Sequence, residues 1–388
     1  MEWVAKALQE IEKKGLKRSL REIEGVQDRV VMLKGVPALV FCSNNYLGLA
    51  NHPKLIEAGK KALEKYGVGS GASRLISGNM KLHEELESSI AQFKRTEAAL
   101  LFNSGYHANI GLLTTLTGPS DQIFSDELNH ASLIDGCRLS RAQVSVYKHQ
   151  DVDHLKNLLQ KNDSTGRKFI VTDGVFSMDG DVAPLPELVE LGRRYEATVV
   201  VDDAHGTGVM GETGRGTVEH FGIDPGEVIQ MATLGKALGV FGAFIACTKS
   251  LRELLMNTAR SFIFTTSLPP VVCAMAMEAI KILSEESQPL QNLRQNIKKF
   301  SEGLSRLGWV TQNRAPIFPL LIGDPNPTMA LCETLLTQGI YAQGIRPPTV
   351  PEGTSRLRFT LMATHTEEDL DAALNALAST LSWQQHRP

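Results

Sequence analysis

No uninterrupted apolar run in the 388 residues approaches the length of a membrane span, so no helical anchor is expected. An excess of charge is missing as well. Forty basic against 43 acidic residues leave a formal net charge of −3, with no global attraction to nucleic acid or to an anionic membrane. Cysteines are few and scattered: Cys42, Cys137, Cys247, Cys273 and Cys332 form no C-x-x-C pair. They read as reduced packing residues of a cytoplasmic protein, not as a disulfide framework or a zinc site. Low-complexity tracts and repeats are absent too. The opening MEWVAKALQEIEKKGLKRSL has apolar residues at helical spacing, but Glu2, Glu10 and Glu12 argue against an organellar presequence, and no secretory core follows. These absences leave a soluble, intracellular, enzyme-sized chain long enough for two domains.

What is present is an alternation. Short β-branched runs, ALLF (99–102), QIFS (122–125), VSVYK (144–148), KFIVTDG (168–174), ATVVVDD (197–203), VIQMAT (228–233) and AFIACT (243–248), are separated by longer helical patterns. The helices are expected over 108–116, 131–141, 152–160 and 185–195. Strands alternating with helices predict an α/β fold with a mostly parallel sheet covered on both faces, and the near-continuous apolar run ATVVV fits burial on both sides. The texture changes near residue 285. A helical pattern over 290–307 leads to strands near PIFPLLI and RLRFTLM with helices around them, a smaller α+β domain. Before residue 50 a helix and an irregular stretch, GVPALVFCSNNYLGLA, precede the large domain. The expected division is a segment 1–47, a large α/β domain 48–284 and a small C-terminal domain 285–388.

In open parallel sheets ligands sit at the carboxyl ends of the strands, and four strand ends here carry chemistry. FSDELNHAS supplies His130, TDGVFSMDGD Asp173 and Ser177, VVVDDAHGTG Asp202, Asp203 and His205, and VIQMATLGK Thr233 and Lys236. LFNSGYHAN adds small residues at a strand–helix junction, whose backbone amides could cradle a phosphate. Each residue has a plainer reading. Lys236 could snorkel to water, Asp202 could serve a loop, His130 could cap the next helix, and DDAH could ligate a metal, although no second cluster stands at ligand spacing. GETGRG (211–216) bridges no strand and helix, so it is not a dinucleotide fingerprint.

Taken together the residues fit one chemistry. An isolated ammonium in the apolar TLGKALGVFG is costly, whereas a lysine held as a neutral imine by pyridoxal phosphate (PLP) escapes that cost. Asp202 could then keep the pyridine nitrogen protonated, His205 bond the phenolic oxygen, and His130 stack on the ring. Thr233 with the amides around Gly105 and Tyr106 could bind the phosphate.

The ordered blocks SNNYLGL, GSGASRLISG, LNHASLIDG, DGVFSMDGD, VDDAHGTGVMGETGRG, TLGKALG and PPTVPEGTSRLRFT resemble the α-oxoamine synthases, which have the aspartate-aminotransferase type of PLP fold (fold type I). The resemblance implies a homodimer with shared active sites that joins an amino acid to an acyl thioester with loss of CO2. It assigns Lys236 to the lysine that carries the cofactor, Asp202 to the ring nitrogen, His205 to the phenolic oxygen and His130 to the ring face. Ser177 becomes a cofactor contact, and Thr233, Gly105 and Tyr106 become phosphate contacts. Thr265 and Thr266 would reach the phosphate of the partner subunit. Asn44 and Arg358 would hold the amino-acid carboxylate, while Arg21 and Thr349 would contact the acyl substrate. Within the family, IRPPTVPEGTSRLRFT and DDAHGTGV side with the members that condense L-alanine with pimeloyl-CoA or a pimeloyl-acyl carrier protein. LNHASLIDGCRLSRA and TLGKALG lean towards those that acetylate glycine. Arg346 beside PPTVP has two readings, a terminal carboxylate or a surface ion pair. No metal, nucleic-acid or membrane partner is expected.

Overall fold

The computed structural model describes residues 1–309 and 314–385. In chain order its strands are β1 (Val30–Leu33), β2 (Val36–Val40), β3 (Ala98–Phe102), β4 (Gln122–Asp126), β5 (Gln143–Tyr147), β6 (Lys168–Asp173), β7 (Ala197–Asp202), β8 (Val228–Thr233), β9 (Ala243–Cys247), β10 (Ile317–Gly323), β11 (Ile340–Tyr341), β12 (Gln343–Ile345) and β13 (Ser355–Thr360). The chain divides into two compact units. One joins Leu49–Ser177 with Asp181–Leu290; the other gathers Met1–Gly48, Met178–Gly180 and the residues from Gln291 onward.

The first unit is built on a seven-stranded sheet in the order β3-β9-β8-β7-β6-β4-β5. Strands β8, β7, β6, β4 and β5 pair in parallel, and β9 is antiparallel to both its neighbours. Helices Ala131–Ser140, Val152–Lys161 and Leu185–Tyr195 make crossovers between parallel strands. Successive side chains of a strand point to opposite faces, and the burial follows that rule. Val200 packs with Leu112, Leu133 and Phe262 on one face. Its neighbours Val199 and Val201 pack with Leu155, Leu185 and Leu188 on the other. Each of these fully buried side chains contributes about 1.5–3 kcal/mol. The helix Gly105–Leu116 begins ahead of the expected Ala108 because Ser104 Oγ accepts the His107 N–H and caps it.

In the second unit the start of the stretch read as irregular is a strand. Val36–Val40 folds back on Val30–Leu33 through Lys34 and Gly35, both at positive φ (51° and 75°), the hallmark of a type I′ hairpin. Only Ala38 and Val40 of β2 are buried, so its period-2 signal is short and Pro37 obscures it further. β11 then pairs in parallel with β2, Ile340 opposite Leu39 and Tyr341 opposite Val40, which joins the N-terminal residues to the C-terminal ones. A second sheet, β10-β13-β12, places the fully buried β13 at its centre. Phe41, Phe300, Phe318 and Phe359 form an aromatic cluster with ring centroids 5.3–6.0 Å apart. Among the described residues no helix is long and apolar enough to cross a membrane.

Candidate active site

Four adjacent parallel strands each end on a polar residue: Asp126 on β4, Asp173 on β6, Asp202 on β7 and Thr233 on β8. The first three are buried carboxylates, and Asp173 lies opposite Asp202 in the register. Like charges so placed repel, and each acid is matched with donors. Asp202 accepts the Ala204 N–H (3.0 Å) and an amide hydrogen of Asn109 (2.7 Å). Asp173 accepts the His130 N–H (2.7 Å), yet burial and the neighbouring Asp202 push its carboxyl well above the ordinary range. Asp126 receives the backbone amides of Leu128 and Gln150.

His149 completes this row. Its Nδ1 contacts Asp126 (3.0 Å) and its Nε2 Asp181 (2.7 Å), which ties the strand ends to the turn that carries Ser177. That turn is closed by the Val175–Val182 bridge and by the Phe176 N–H on the Asp181 carbonyl. Burial alone would lower the imidazole pKa, but the two carboxylates overcome it and raise it from 6.5 to about 10. A folded pKa above the unfolded one adds stability that is complete below pH 6.5 and is lost as pH rises towards 10. The stability difference between the wild type and His149→Gln should therefore be largest near pH 6 and shrink steadily to pH 10. Urea unfolding across that range measures it, and a gap that widens with pH would contradict the assignment.

Lys236 lies in a tight loop after β8, where the Leu234 N–H bonds the Gly242 carbonyl and the Gly239 N–H bonds the Lys236 carbonyl. Gly239 (φ +67°) is required there, because a Cβ would meet the backbone of Leu49 and Ala50 at 2.5–2.6 Å. The lysine expected to be buried is half-buried; the apolar neighbours in TLGKALGVFG turn into the core while its own side chain emerges at the sheet edge. Its charge is felt by both His130 and Asp173. His130 does cap the next helix, accepting the Ser132 N–H at Nδ1, with Ser132 Oγ at 2.7 Å. The residue as a whole is exposed, while partial desolvation of the imidazole lowers its pKa against the pull of Asp202. The cap and the ring-face role are thus compatible.

His205 is buried three residues beyond Asp202, in a turn closed by the Gly206 and Thr207 amides on the Asp203 carbonyl. Asp203 anchors that turn. It takes Lys94 Nζ (3.0 Å), the Thr207 hydroxyl (2.8 Å), and both the amide and hydroxyl of Thr217 (3.1 and 2.8 Å). Both side chains of the Lys94–Asp203 pair are fully buried, a setting in which removing one partner costs ~3–5 kcal/mol. With its oxygens so engaged, Asp203 has no lone pair turned to a metal. The glycine rhythm of GETGRG belongs to this wrapping: at Gly216 a Cβ would strike the Asp203 carboxylate at 1.7 Å.

The remaining candidates fall in two places. Gly105 and Tyr106 open the helix after β3, where the first amides lack intrahelical partners. Beside them Asn103 donates to the Thr265 hydroxyl and the Thr266 carbonyl, each at 2.8 Å. In the second unit Arg358 on β13 is buried and donates to Asn44 Oδ1 (3.3 Å), which also accepts the Tyr46 hydroxyl (3.2 Å). Burial pushes that phenol up to about 12 despite Arg358. Arg21 pairs with Glu333 and lies over the Tyr341 ring, and Thr349 lines the same pocket.

This donor set fits PLP on the structure's own terms. Thr233 Oγ1 is buried with no hydrogen-bond partner, an orphan that a phosphate oxygen would satisfy. Gly105 sits so close to Thr233 that a Cβ would meet its methyl at 2.9 Å, leaving room only for backbone amides. Sequence reasoning missed Asn109, whose amide orients the Asp202 carboxylate; the available signal was a polar residue on the buried face of an apolar helix.

A profile of the family described as aminotransferase class I and II matches residues 36–377. The chain is similar to the 8-amino-7-oxononanoate synthase of Geobacter sulfurreducens, with 53% identity over 97% of each chain. Among solved structures it resembles a serine palmitoyltransferase from S. paucimobilis with a bound PLP–myriocin aldimine (30% identity, TM-score 0.93, 98% of this chain and 97% of that one). It also resembles an 8-amino-7-oxononanoate synthase from Francisella tularensis (31% identity, TM-score 0.78, 90% and 99%).

Proposed function

The chain belongs to the class I and II aminotransferase family and, within it, to the α-oxoamine synthases, and from that premise we propose that it joins L-alanine to a pimeloyl thioester. The products are 8-amino-7-oxononanoate, an intermediate on the way to biotin, CO2 and the free thiol of coenzyme A or acyl carrier protein. The observation that carries the reading is the convergence of Asp202, His205, Thr233 and Lys236 on neighbouring strand ends, with Gly105 leaving space for a phosphate. Near-full-length likeness to synthases of that name supports the choice of substrates.

PLP, when bound, supplies an electron sink for the bond-making carbon and for the loss of CO2. Lys236 Nζ would carry it covalently, Asp202 would hold its ring nitrogen protonated, and His205 would bond its phenolic oxygen. His130 would cover the ring, Ser177 would add a contact, and Thr233, Gly105 and Tyr106 would take the phosphate. Thr265 and Thr266 would contribute to that phosphate across a homodimer. Arg358 and Asn44 bind the alanine carboxylate, the guanidinium bidentately. As a free amine, Lys236 Nζ would remove the proton from the alanine Cα and later return one. Arg21 and Thr349 contact the acyl chain. In this reading residues 48–284 hold the cofactor, while 1–47 and 285–388 bind the acyl substrate, in a cytoplasmic homodimer without nucleic-acid or membrane partners.

The alternative is a glycine C-acetyltransferase, towards which LNHASLIDGCRLSRA leans. Rates with alanine and with glycine, each against pimeloyl-CoA and acetyl-CoA, separate the two. Alanine with pimeloyl-CoA should be preferred by at least about a hundredfold, and alanine alone should yield no pyruvate. Faster turnover of glycine with acetyl-CoA would replace the proposal with its rival.

A further inference from the structure

The first unit holds a cavity of about 210 Å³ that shares no residue with the candidate active site. That is far more space than the ~10–15 Å³ a single water needs. Its walls come from the end of the helix Lys81–Lys94 with the following Arg95, from residues 215–225, and from β8.

Two buried N–H donors on this lining have no hydrogen-bond partner, Arg215 Nε and Gln230 Nε2. Gln230 is 1% exposed. By the alternation of the strand it shares a side of β8 with Val228, which packs in the apolar core on that face of the sheet. A buried amide without a partner lowers stability in a way that a leucine of similar shape does not. One unmatched donor is a packing defect; two on one cavity mark where an acceptor belongs.

The surrounding charges set the sign of that acceptor. Lys94 is neutralised by Asp203 (3.0 Å), and its ammonium also donates to the Thr207 hydroxyl and the Arg215 carbonyl. Arg215 reaches Glu219 through a terminal nitrogen (3.1 Å), which leaves Nε unused. Glu219, the acid in the lining, is saturated by its own loop, for it also takes the amide and hydroxyl of Thr213 and the amide of Arg215. These bonds fix both side chains in place, so little ordering would accompany binding. Arg95 is left over: it is exposed, and among the described residues no carboxylate pairs with it. Two compensated pairs and one spare cation match an occupant with a single negative charge. Val218, Ile223 and Pro225 supply apolar walls for the rest of it.

We infer that this cavity binds a small aliphatic monocarboxylate, whose oxygens accept from Arg215 Nε and Gln230 Nε2 while Arg95 balances the charge. The inference goes beyond the proposed reaction and does not depend on which acyl donor the enzyme takes.

The test uses holoenzyme. Because substrate sites also take carboxylates, the location is read directly. Crystals soaked in 6-bromohexanoate should show bromine anomalous density beside Val218, Ile223 or Pro225, with the carboxylate on Arg215 and Gln230. Density only elsewhere, or none, overturns the inference. In solution, calorimetry should find hexanoate bound to wild type at least about tenfold more tightly than neutral hexanamide. Gln230→Leu should weaken hexanoate at this site by about tenfold or more, and Arg95→Glu should remove the preference for the acid over the amide. Both variants should leave kcat and KM for alanine unchanged. Identical isotherms for wild type and Gln230→Leu, or equal binding of acid and amide by wild type, overturn the inference. Should the variants fail to fold, the soaked crystal decides alone. Loss of the proposed condensation activity from wild type would remove the functional reading and leave this site standing.

Discussion

Replacing Lys236 by alanine is expected to lower turnover by more than about a thousandfold, ~4 kcal/mol or more in activation free energy. It should also abolish covalent attachment of the cofactor. The argument is geometric. Lys236 projects half-buried from a loop fixed by backbone hydrogen bonds between Leu234 and Gly242 and between Gly239 and Lys236. None of those bonds uses its side chain, so the variant should fold, with a stability change within about 1 kcal/mol. In the proposed mechanism three functions depend on the missing nitrogen: holding the aldehyde of the cofactor, removing the proton from the substrate Cα and returning one. Borohydride reduction followed by peptide mass spectrometry reads the first directly. A label found elsewhere in the wild type, or near-normal rates in a well-folded Lys236→Ala, would refute the assignment of this loop.

The second large effect is expected at Asp202. Asp202→Asn keeps the shape and removes the charge that would hold a proton on the pyridine ring, and kcat should fall by about a thousandfold, within the range of a lost preorganised charge. The environment tolerates the change. Asn109 now donates to Asp202 (2.7 Å) while its own Oδ1 lies buried without a partner. Rotating the Asn109 amide would let the new amide donate to that oxygen, and Ser132 could still bond across. The variant should therefore keep its melting temperature and its bound cofactor, which separates an electronic defect from a folding defect. Activity within tenfold of wild type would mean that this carboxylate is structural.

Much of the architecture was legible because burial imprints a period on the chain. Val228–Thr233 and Leu185–Tyr195 fall where the pattern put them, since each is bounded by abrupt changes of polarity. The N-terminal hairpin was not legible. Pro37 interrupts a five-residue strand of which only Ala38 and Val40 are buried, and its pairing with Ile340–Tyr341 spans three hundred positions that no local pattern reports. Likewise β9 has the composition of its parallel neighbours, and only the packed sheet shows that it runs the other way.

At the site the division is similar. Residue types at the ends of strands were enough to nominate Asp202, His205, Thr233 and Lys236, because a strand whose apolar run stops on an acid or a hydroxyl must present it at the sheet edge. DDAH nominated Asp202 for the chemistry but said nothing of what its neighbour Asp203 holds. The fold surrounds Asp203 with Lys94, Thr207 and Thr217, the partners of a loop anchor, and gives Asp202 to Asn109. Composition and periodicity thus determined the elements and the chemistry available to them. Charge compensation, being a property of three-dimensional neighbours, was decided only when the chain was folded.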